Sequence, residues 1–113
     1  MVHEERTSQL QSWLSVDVVP AASALVRTEL RRAALRLDAA LLPAVEQVLA
    51  RLHLLRVDDD VLDLAGRLSP PALRGLDALH VATAVRAGVD VLVTYDRRMT
   101  EAARAAGMRT AAP

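Results

Sequence analysis

Three acidic residues, far apart in the chain, have the types and positions from which a metal site could be built. Glu29 and Asp77 lie on segments with helical spacing, and Asp96 directly follows an apolar run typical of a strand. Ligand sites in open parallel sheets form outside the carboxyl ends of the strands, which is where Asp96 falls. Converging carboxylates without a cationic partner repel one another, and a hard divalent cation, Mg²⁺ or Mn²⁺, holds them together. Because such a cation can activate water against a phosphate, the chemistry implied is phosphodiester hydrolysis.

Each of these acids also has a purely structural interpretation. Asp77 would be favoured by the helix dipole as an acid in a first turn. Asp96 would cap the helix predicted to begin at Arg98. Glu29 would be an exposed helix residue that pairs with Arg32 or with nothing. Only the combined placement of the three acids favours a metal site over these alternatives.

A rival acidic cluster follows the strand predicted at 54–57. It consists of Asp58, Asp59, Asp60 and Asp63. Consecutive acids at the start of a helix point in different directions, so one N-cap and a favourable dipole account for them. We therefore predict a structural role for this cluster.

Other catalytic and binding motifs are missing from the sequence. The histidines at 3, 53 and 80 are too scattered for a zinc site, and we expect His80 to pack or hydrogen-bond along its own helix. The four glycines are isolated, so they form no phosphate-binding loop. No serine has the flanking glycines of a nucleophile elbow. Trp13 and Tyr95 are the only aromatic residues, which argues against base stacking as the main binding mode.

The overall composition predicts one small domain. The chain has 113 residues and a formal net charge of zero, so bulk electrostatics provides no strong attraction to nucleic acid or to an anionic membrane. The absence of cysteine excludes disulfides and thiolate metal sites. No apolar run approaches membrane-spanning length and no signal peptide is evident, so we expect a cytoplasmic protein.

Helical patterns alternate with short apolar runs, which is typical of an α/β domain with a parallel sheet flanked by helices. Helices are predicted at 3–14, 24–37, 41–52, 58–68, 76–87 and 98–106. Strands are predicted at 16–19, 54–57, 90–94 and 108–111. We expect Ser23 to cap the second helix, and Gly88 and Gly107 to end the last two.

Three blocks of sequence are familiar: SALVRTELRRA at 23–33, GLDALHVATA at 75–84 and VLVTYDRRMTEAA at 91–103. Together they resemble the PIN domains of VapC toxins, the Mg²⁺-dependent ribonucleases of bacterial type II toxin–antitoxin systems. The resemblance implies that Glu29, Asp77 and Asp96 are metal-coordinating acids of the active site, with Thr94 as an accessory polar group. It also implies an RNA substrate, an antitoxin partner that covers the active site, and a homodimer.

One part of the family pattern is missing. The family begins with a central strand that carries its first acid in a D-x-S-A pattern, whereas residues 2–14 of this chain resemble the segment that follows that strand. We therefore expect 1–113 to be a single PIN-like domain, truncated at its N-terminus relative to the family. A misassigned start codon, a decaying gene, or strand edges that pair differently would each explain the difference.

These expectations leave two functions open. The first is a Mg²⁺-dependent (or Mn²⁺-dependent) endoribonuclease toxin, weakly active or inactive in this 113-residue form. In it Arg97 or Arg98 would hold neighbouring phosphates, although both could equally be surface charges at a helix start. The alternative is a non-catalytic remnant that binds antitoxin or dimerises with full-length toxin.

Overall fold

The structure, a computed structural model, describes residues 20–112, in which helices alternate with short strands. The helices are α1 (Val26–Leu37), α2 (Leu42–Arg51, after a 3-10 turn at Ala39–Leu41), α3 (Asp59–Ala65), α4 (Gly75–Ala87) and α5 (Arg97–Ala105). The strands are β1 (Ala21–Ser23), β2 (His53–Leu55), β3 (Val91–Val93) and β4 (Arg109–Ala111). The predicted α/β class is confirmed, while the predicted helix at 3–14 and strand at 16–19 lie outside the described residues.

The strands of the described chain pair in parallel, as predicted. Ala22 of β1 lies opposite Leu54 of β2, and Leu92 of β3 lies opposite Thr110 of β4. Within residues 20–112 these pairs form two separate two-stranded sheets. The predicted lack of the family's central strand stays a prediction, because no described residue tests it.

Strand β1 was not among the strands predicted from the sequence. Alanine and serine are poor strand formers, so the side-chain pattern at 21–23 indicates no strand. Backbone hydrogen bonds extend the β1–β2 pairing at both ends: the N–H of His53 donates to the carbonyl of Pro20 (2.9 Å), and the N–H of Ala24 donates to that of Leu55 (2.8 Å). Pairing with β2 therefore determines this strand, since it satisfies the backbone groups that the side chains cannot.

The prediction that Ser23 caps the following helix is wrong. Ser23 ends β1 and is only 4% exposed, and its Oγ accepts a 3.1 Å hydrogen bond from the N–H of Leu25. Helix α1 begins at Val26, and the residue before it makes no side-chain cap. The serine instead stabilises the tight turn between strand and helix, as serine side chains do when they bond to nearby backbone groups. This turn fixes where α1 starts, and with it the position of Glu29 in the first turn of α1.

Helix α4 runs through the middle of the described domain. Its buried residues are spread around the helix rather than along one stripe, which is typical of a helix covered on several sides. They are Ala78, Val81, Ala82, Thr83 and Ala84. The Thr83 hydroxyl donates to the carbonyl of Leu79 (2.6 Å), so this buried polar group is satisfied. Because Val81 also packs with Ala102 and Ala103 of α5, α4 is a firmly held support for the side chains on its exposed face.

Two other helix ends were predicted correctly from the sequence. Asp58 is the N-cap of α3, where its Oδ1 accepts a 3.0 Å hydrogen bond from the N–H of Val61. Gly88 follows α4 with φ of 70°, a left-handed conformation that suits glycine. The structural role predicted for the rival acidic cluster is thereby confirmed for its capping residue, and Asp60 additionally pairs with Arg86 at 3.1 Å. None of the helices within 20–112 has the length and apolar character needed to cross a membrane.

Candidate active site

Glu29 and His80 join helix α1 to helix α4. The Nε2 atom of His80 and the Oε1 atom of Glu29 form a hydrogen-bonded contact between residues 51 positions apart in the chain. The His80 side chain is 17% exposed, and that of Glu29 is 38% exposed. The structural interpretation in which Glu29 pairs with Arg32 or with nothing is therefore wrong. His80 was expected to pack or hydrogen-bond along its own helix; it is largely buried, but its hydrogen bond goes to another helix. The contact between these two side chains instead connects α1 with α4.

Asp77 lies in the first turn of α4, one helical turn before His80. Residues three apart on a helix are neighbours on its surface. The Asp77 side chain is half-buried, and within residues 20–112 it makes no hydrogen bond or ion pair. Its first-turn position is also the one that the helix dipole favours, so the structural interpretation remains compatible with the structure. Its position next to His80 brings Asp77 to the same face of α4 that meets Glu29.

Asp96 caps helix α5, as its structural interpretation predicted. Its Oδ1 accepts a 3.0 Å hydrogen bond from the N–H of Met99, and the helix begins at Arg97. Its own N–H donates to the Oγ1 of Thr94 (3.0 Å), and the Thr94 hydroxyl also lies 3.9 Å from the sulfur of Met99. A carboxylate has two acceptor oxygens, and the cap uses only Oδ1 of Asp96. The second oxygen is not needed for capping. Capping and ligation are therefore compatible at this residue.

The three predicted ligands are not neutralised by arginine in the described part of the chain. Arg31, two positions after Glu29, is already paired with Glu46 of α2. Its guanidinium contacts both carboxylate oxygens of Glu46, and the shortest distance is 2.8 Å. The other arginine ion pair there joins Arg86 to Asp60. Within residues 20–112, the negative charge of the candidate acids is therefore not cancelled by an arginine.

The geometry of the candidate metal site is only partly assembled. Carboxylate oxygens are the donors that suit Mg²⁺ or Mn²⁺, so the donor chemistry fits. Yet no group of three or more acidic or histidine side chains within 20–112 lies close enough together to hold a metal ion. Mg²⁺ is commonly held by one or two carboxylates together with water and substrate phosphates. The donor atoms of the three acids suit such a site, and the structure places them at the beginnings of three different helices: Glu29 in α1, Asp77 in α4 and Asp96 before α5.

Arg97 and Arg98 occupy the first turn of α5, immediately after Asp96. Both are exposed, and neither is in an ion pair within the described residues. This position allows contact with an anionic ligand near Asp96, and it equally suits two surface charges. Both interpretations made from the sequence therefore stay open.

His80 is the residue of this site that the sequence did not reveal. A histidine on a mostly apolar helix is ordinarily a packing residue, and nothing in a single sequence links position 80 to position 29. The available signal was its spacing, since His80 stands three positions after Asp77 and therefore on the same face of the helix.

Comparison with known proteins identifies the family of the chain. The family model of the PIN domain matches residues 3–105. The chain belongs to the PIN-domain family, and within that family the relatives that it matches are VapC proteins, which confirms the resemblance found in the sequence.

Three relatives come from Mycobacterium tuberculosis. Ribonuclease VapC46 (strain ATCC 25618 / H37Rv) is 47% identical over 99% of this chain and 88% of its own length. Ribonuclease VapC35 (strain CDC 1551 / Oshkosh) is 40% identical over 97% of this chain and 86% of its own length. Ribonuclease VapC47 (strain CDC 1551 / Oshkosh) is 32% identical over the whole chain and 88% of its own length. No solved structure matches the chain.

Proposed function

We propose that this chain is the ribonuclease toxin of a type II toxin–antitoxin system and hydrolyses RNA phosphodiester bonds with the help of Mg²⁺ or Mn²⁺. Membership of the PIN-domain family and the ribonuclease names of its relatives support the activity. The observation that carries the proposal is the contact between Glu29 and His80. It brings an acid of α1 to the face of α4 that bears Asp77, although the two segments are distant in sequence.

In this proposal the acidic residues bind the divalent cation and orient the scissile phosphate. When bound, the cation supplies an activated water and offsets the charge that develops on the phosphate. Glu29 and Asp77 provide carboxylate oxygens at the junction of their helices. Asp96 contributes the oxygen that does not cap α5.

Substrate positioning is assigned to the start of α5. Arg97 and Arg98 would bind the phosphates on either side of the cleavage site through charge-assisted hydrogen bonds. Both side chains are exposed, and no ion pair among residues 20–112 has to break before they bind RNA. Thr94 would act through Asp96, whose backbone it holds.

The decisive experiment compares two aspartate substitutions in RNA cleavage. Purified protein is incubated with structured RNA and Mg²⁺, with and without EDTA, and with a DNA of the same sequence in parallel. Asp77→Asn keeps the size of the side chain but removes its charge, and we expect it to abolish cleavage. Asp63→Asn is the matched control, because Asp63 is an exposed acid of α3 outside the site. Cleavage that survives in Asp77→Asn at the wild-type rate would overturn the proposal.

A second function is favoured by one observation. Because the described residues contain no group of three potential ligands, the chain could instead be a non-catalytic PIN domain that binds antitoxin or pairs with full-length toxin. In that case wild type and Asp77→Asn are both inactive, and the wild-type protein still binds the antitoxin. Cleavage by the wild type that depends on Asp77 excludes this alternative.

The family resemblance supports proposals about partners, and the lack of a long apolar run in the sequence supports one about location. We infer an antitoxin that covers the active site, a homodimer, and a cytoplasmic location. Sedimentation equilibrium of the purified chain measures the oligomeric state, and a monomer at micromolar concentration would contradict the proposed dimer. If a co-expressed antitoxin prevents the chain from cleaving RNA, this supports the proposal that the antitoxin covers the active site.

A further inference from the structure

The Glu29 carboxylate is held in place by one side chain. Within residues 20–112 its hydrogen-bond partner is His80, which approaches from a different helix. His80 lies two positions after the buried Ala78 in α4, and it precedes Val81, which is completely buried. A glutamate has three rotatable side-chain bonds, and at 38% exposure its carboxylate would otherwise be free to move. The contact therefore ties a flexible acid to the most firmly packed helix of the described domain.

The direction of this hydrogen bond can be assigned from the chemistry of the two groups. A carboxylate has acceptors only, so the hydrogen lies on Nε2 of His80 and is donated to Oε1 of Glu29. The second oxygen, Oε2, has no partner among the described residues. A metal-bound carboxylate is commonly hydrogen-bonded in just this way by a neighbouring side chain that does not itself touch the metal.

We propose that His80 is the positioning residue of Glu29: it holds one carboxylate oxygen so that the other is presented to the divalent cation beside Asp77. This inference rests on the proposed function. An arginine at position 80 would also hold the carboxylate, but its permanent charge would compete with the cation. A histidine can donate the same hydrogen bond while its ring is neutral. While Nε2 makes this bond it cannot also ligate metal, so His80 acts through Glu29.

The test compares two amide substitutions that differ in reach. In His80→Gln the amide nitrogen stands about where Nε2 stood, whereas in His80→Asn the side chain is one carbon shorter and falls short of Glu29. The measured quantity is the dissociation constant for Mn²⁺, from the electron paramagnetic resonance signal of the free ion. We expect His80→Asn to weaken Mn²⁺ binding on the order of 10–100-fold, and His80→Gln to recover most of the loss. Circular dichroism confirms that each variant is folded.

A matched control comes from β2. His53→Asn removes an exposed histidine that lies outside the site, and we expect its Mn²⁺ affinity to equal that of the wild type. If wild type binds Mn²⁺ and His80→Asn binds it equally tightly, the positioning role is overturned while the proposed function stands. If His80→Gln is as weak as His80→Asn, the hydrogen bond is not what matters, and the inference is again overturned. If wild type binds no Mn²⁺, the metal-dependent function fails, and the role of His80 fails with it.

Discussion

The backbone N–H of Asp96 donates a 3.0 Å hydrogen bond to the hydroxyl of Thr94, across the turn that leads from β3 into α5. The hydroxyl thus orients the residue that caps the helix, and it does so from the end of a strand. The accessory role that the family resemblance implies for Thr94 stays a prediction, and this hydrogen bond gives it a form that can be tested. Thr94 holds the backbone of a candidate ligand, and this relationship leads to the first prediction.

Thr94→Val should loosen the turn, because valine keeps the shape of threonine but cannot accept the hydrogen bond. We expect the free energy of unfolding to fall by about 1 kcal/mol, the usual contribution of one such hydrogen bond. Urea denaturation measures this loss. Thr94→Ser, which keeps the hydroxyl, is the control and should remain close to wild type. Equal stability of the valine and serine variants would show that the bond is unimportant.

Substitutions of Asp96 should separate its capping role from its metal-binding role. Asparagine retains a side-chain oxygen that can cap α5, whereas alanine removes the cap and should lower the free energy of unfolding by about 1 kcal/mol. Both variants lack the carboxylate, so both should lose RNA cleavage. Thermal unfolding and cleavage are measured on the same preparations. If Asp96→Asn is stable and fully active, Asp96 is a cap and nothing more.

Substitutions of Asp58 should change stability but not RNA cleavage, because its carboxylate caps α3 and lies outside the proposed site. We expect Asp58→Ala to lower the free energy of unfolding by about 1 kcal/mol, and Asp58→Ser to preserve most of it. Neither substitution should change the rate of RNA cleavage once the protein is folded. A cleavage defect in the stable serine variant would return the rival acidic cluster to consideration as a metal site.

The arginines at the start of α5 should affect RNA binding through charge. Arg97→Gln and Arg98→Gln should each weaken binding, and each should reduce the slope of log affinity against log salt by about 0.7, the value for one phosphate contact on a single strand. Fluorescence anisotropy with a labelled RNA, without divalent cation, measures both quantities. Arg67→Gln is the control, since Arg67 is an exposed arginine after α3. Unchanged slopes at 97 and 98 would identify these residues as surface charges.

Much of the local structure was predictable because its causes are local. The cap at Asp58 and the left-handed Gly88 both follow from the chemistry of one residue and its immediate neighbours. Strand β1 was not predictable, because Ala21–Ser23 becomes a strand only through pairing with β2. Asp96 caps a helix, as its structural interpretation predicted, but this does not exclude metal binding. One carboxylate can cap a helix with one oxygen and offer the other to a ligand.

The acids of the candidate site were predicted from the sequence and stay a prediction, whereas the contact between Glu29 and His80 is seen only in the structure. The residue types and their order along the chain indicated Glu29, Asp77 and Asp96. The partner of Glu29 is a histidine 51 positions away on another helix, and only the folded arrangement of the chain brings the two together. A single sequence carries no record of such contacts, so it indicated the candidate ligands without the residue that orients one of them.

The central claim is that carboxylates from separate helices bind one divalent cation, and diffraction from crystals containing Mn²⁺ tests it most directly. Data collected on either side of the manganese absorption edge locate the ion without reference to the protein. The account predicts one anomalous peak roughly 2.1 Å from a carboxylate oxygen of both Glu29 and Asp77, with Asp96 bonded directly or through one water molecule. A peak only at other acids, or none at these carboxylates in crystals saturated with Mn²⁺, would contradict it.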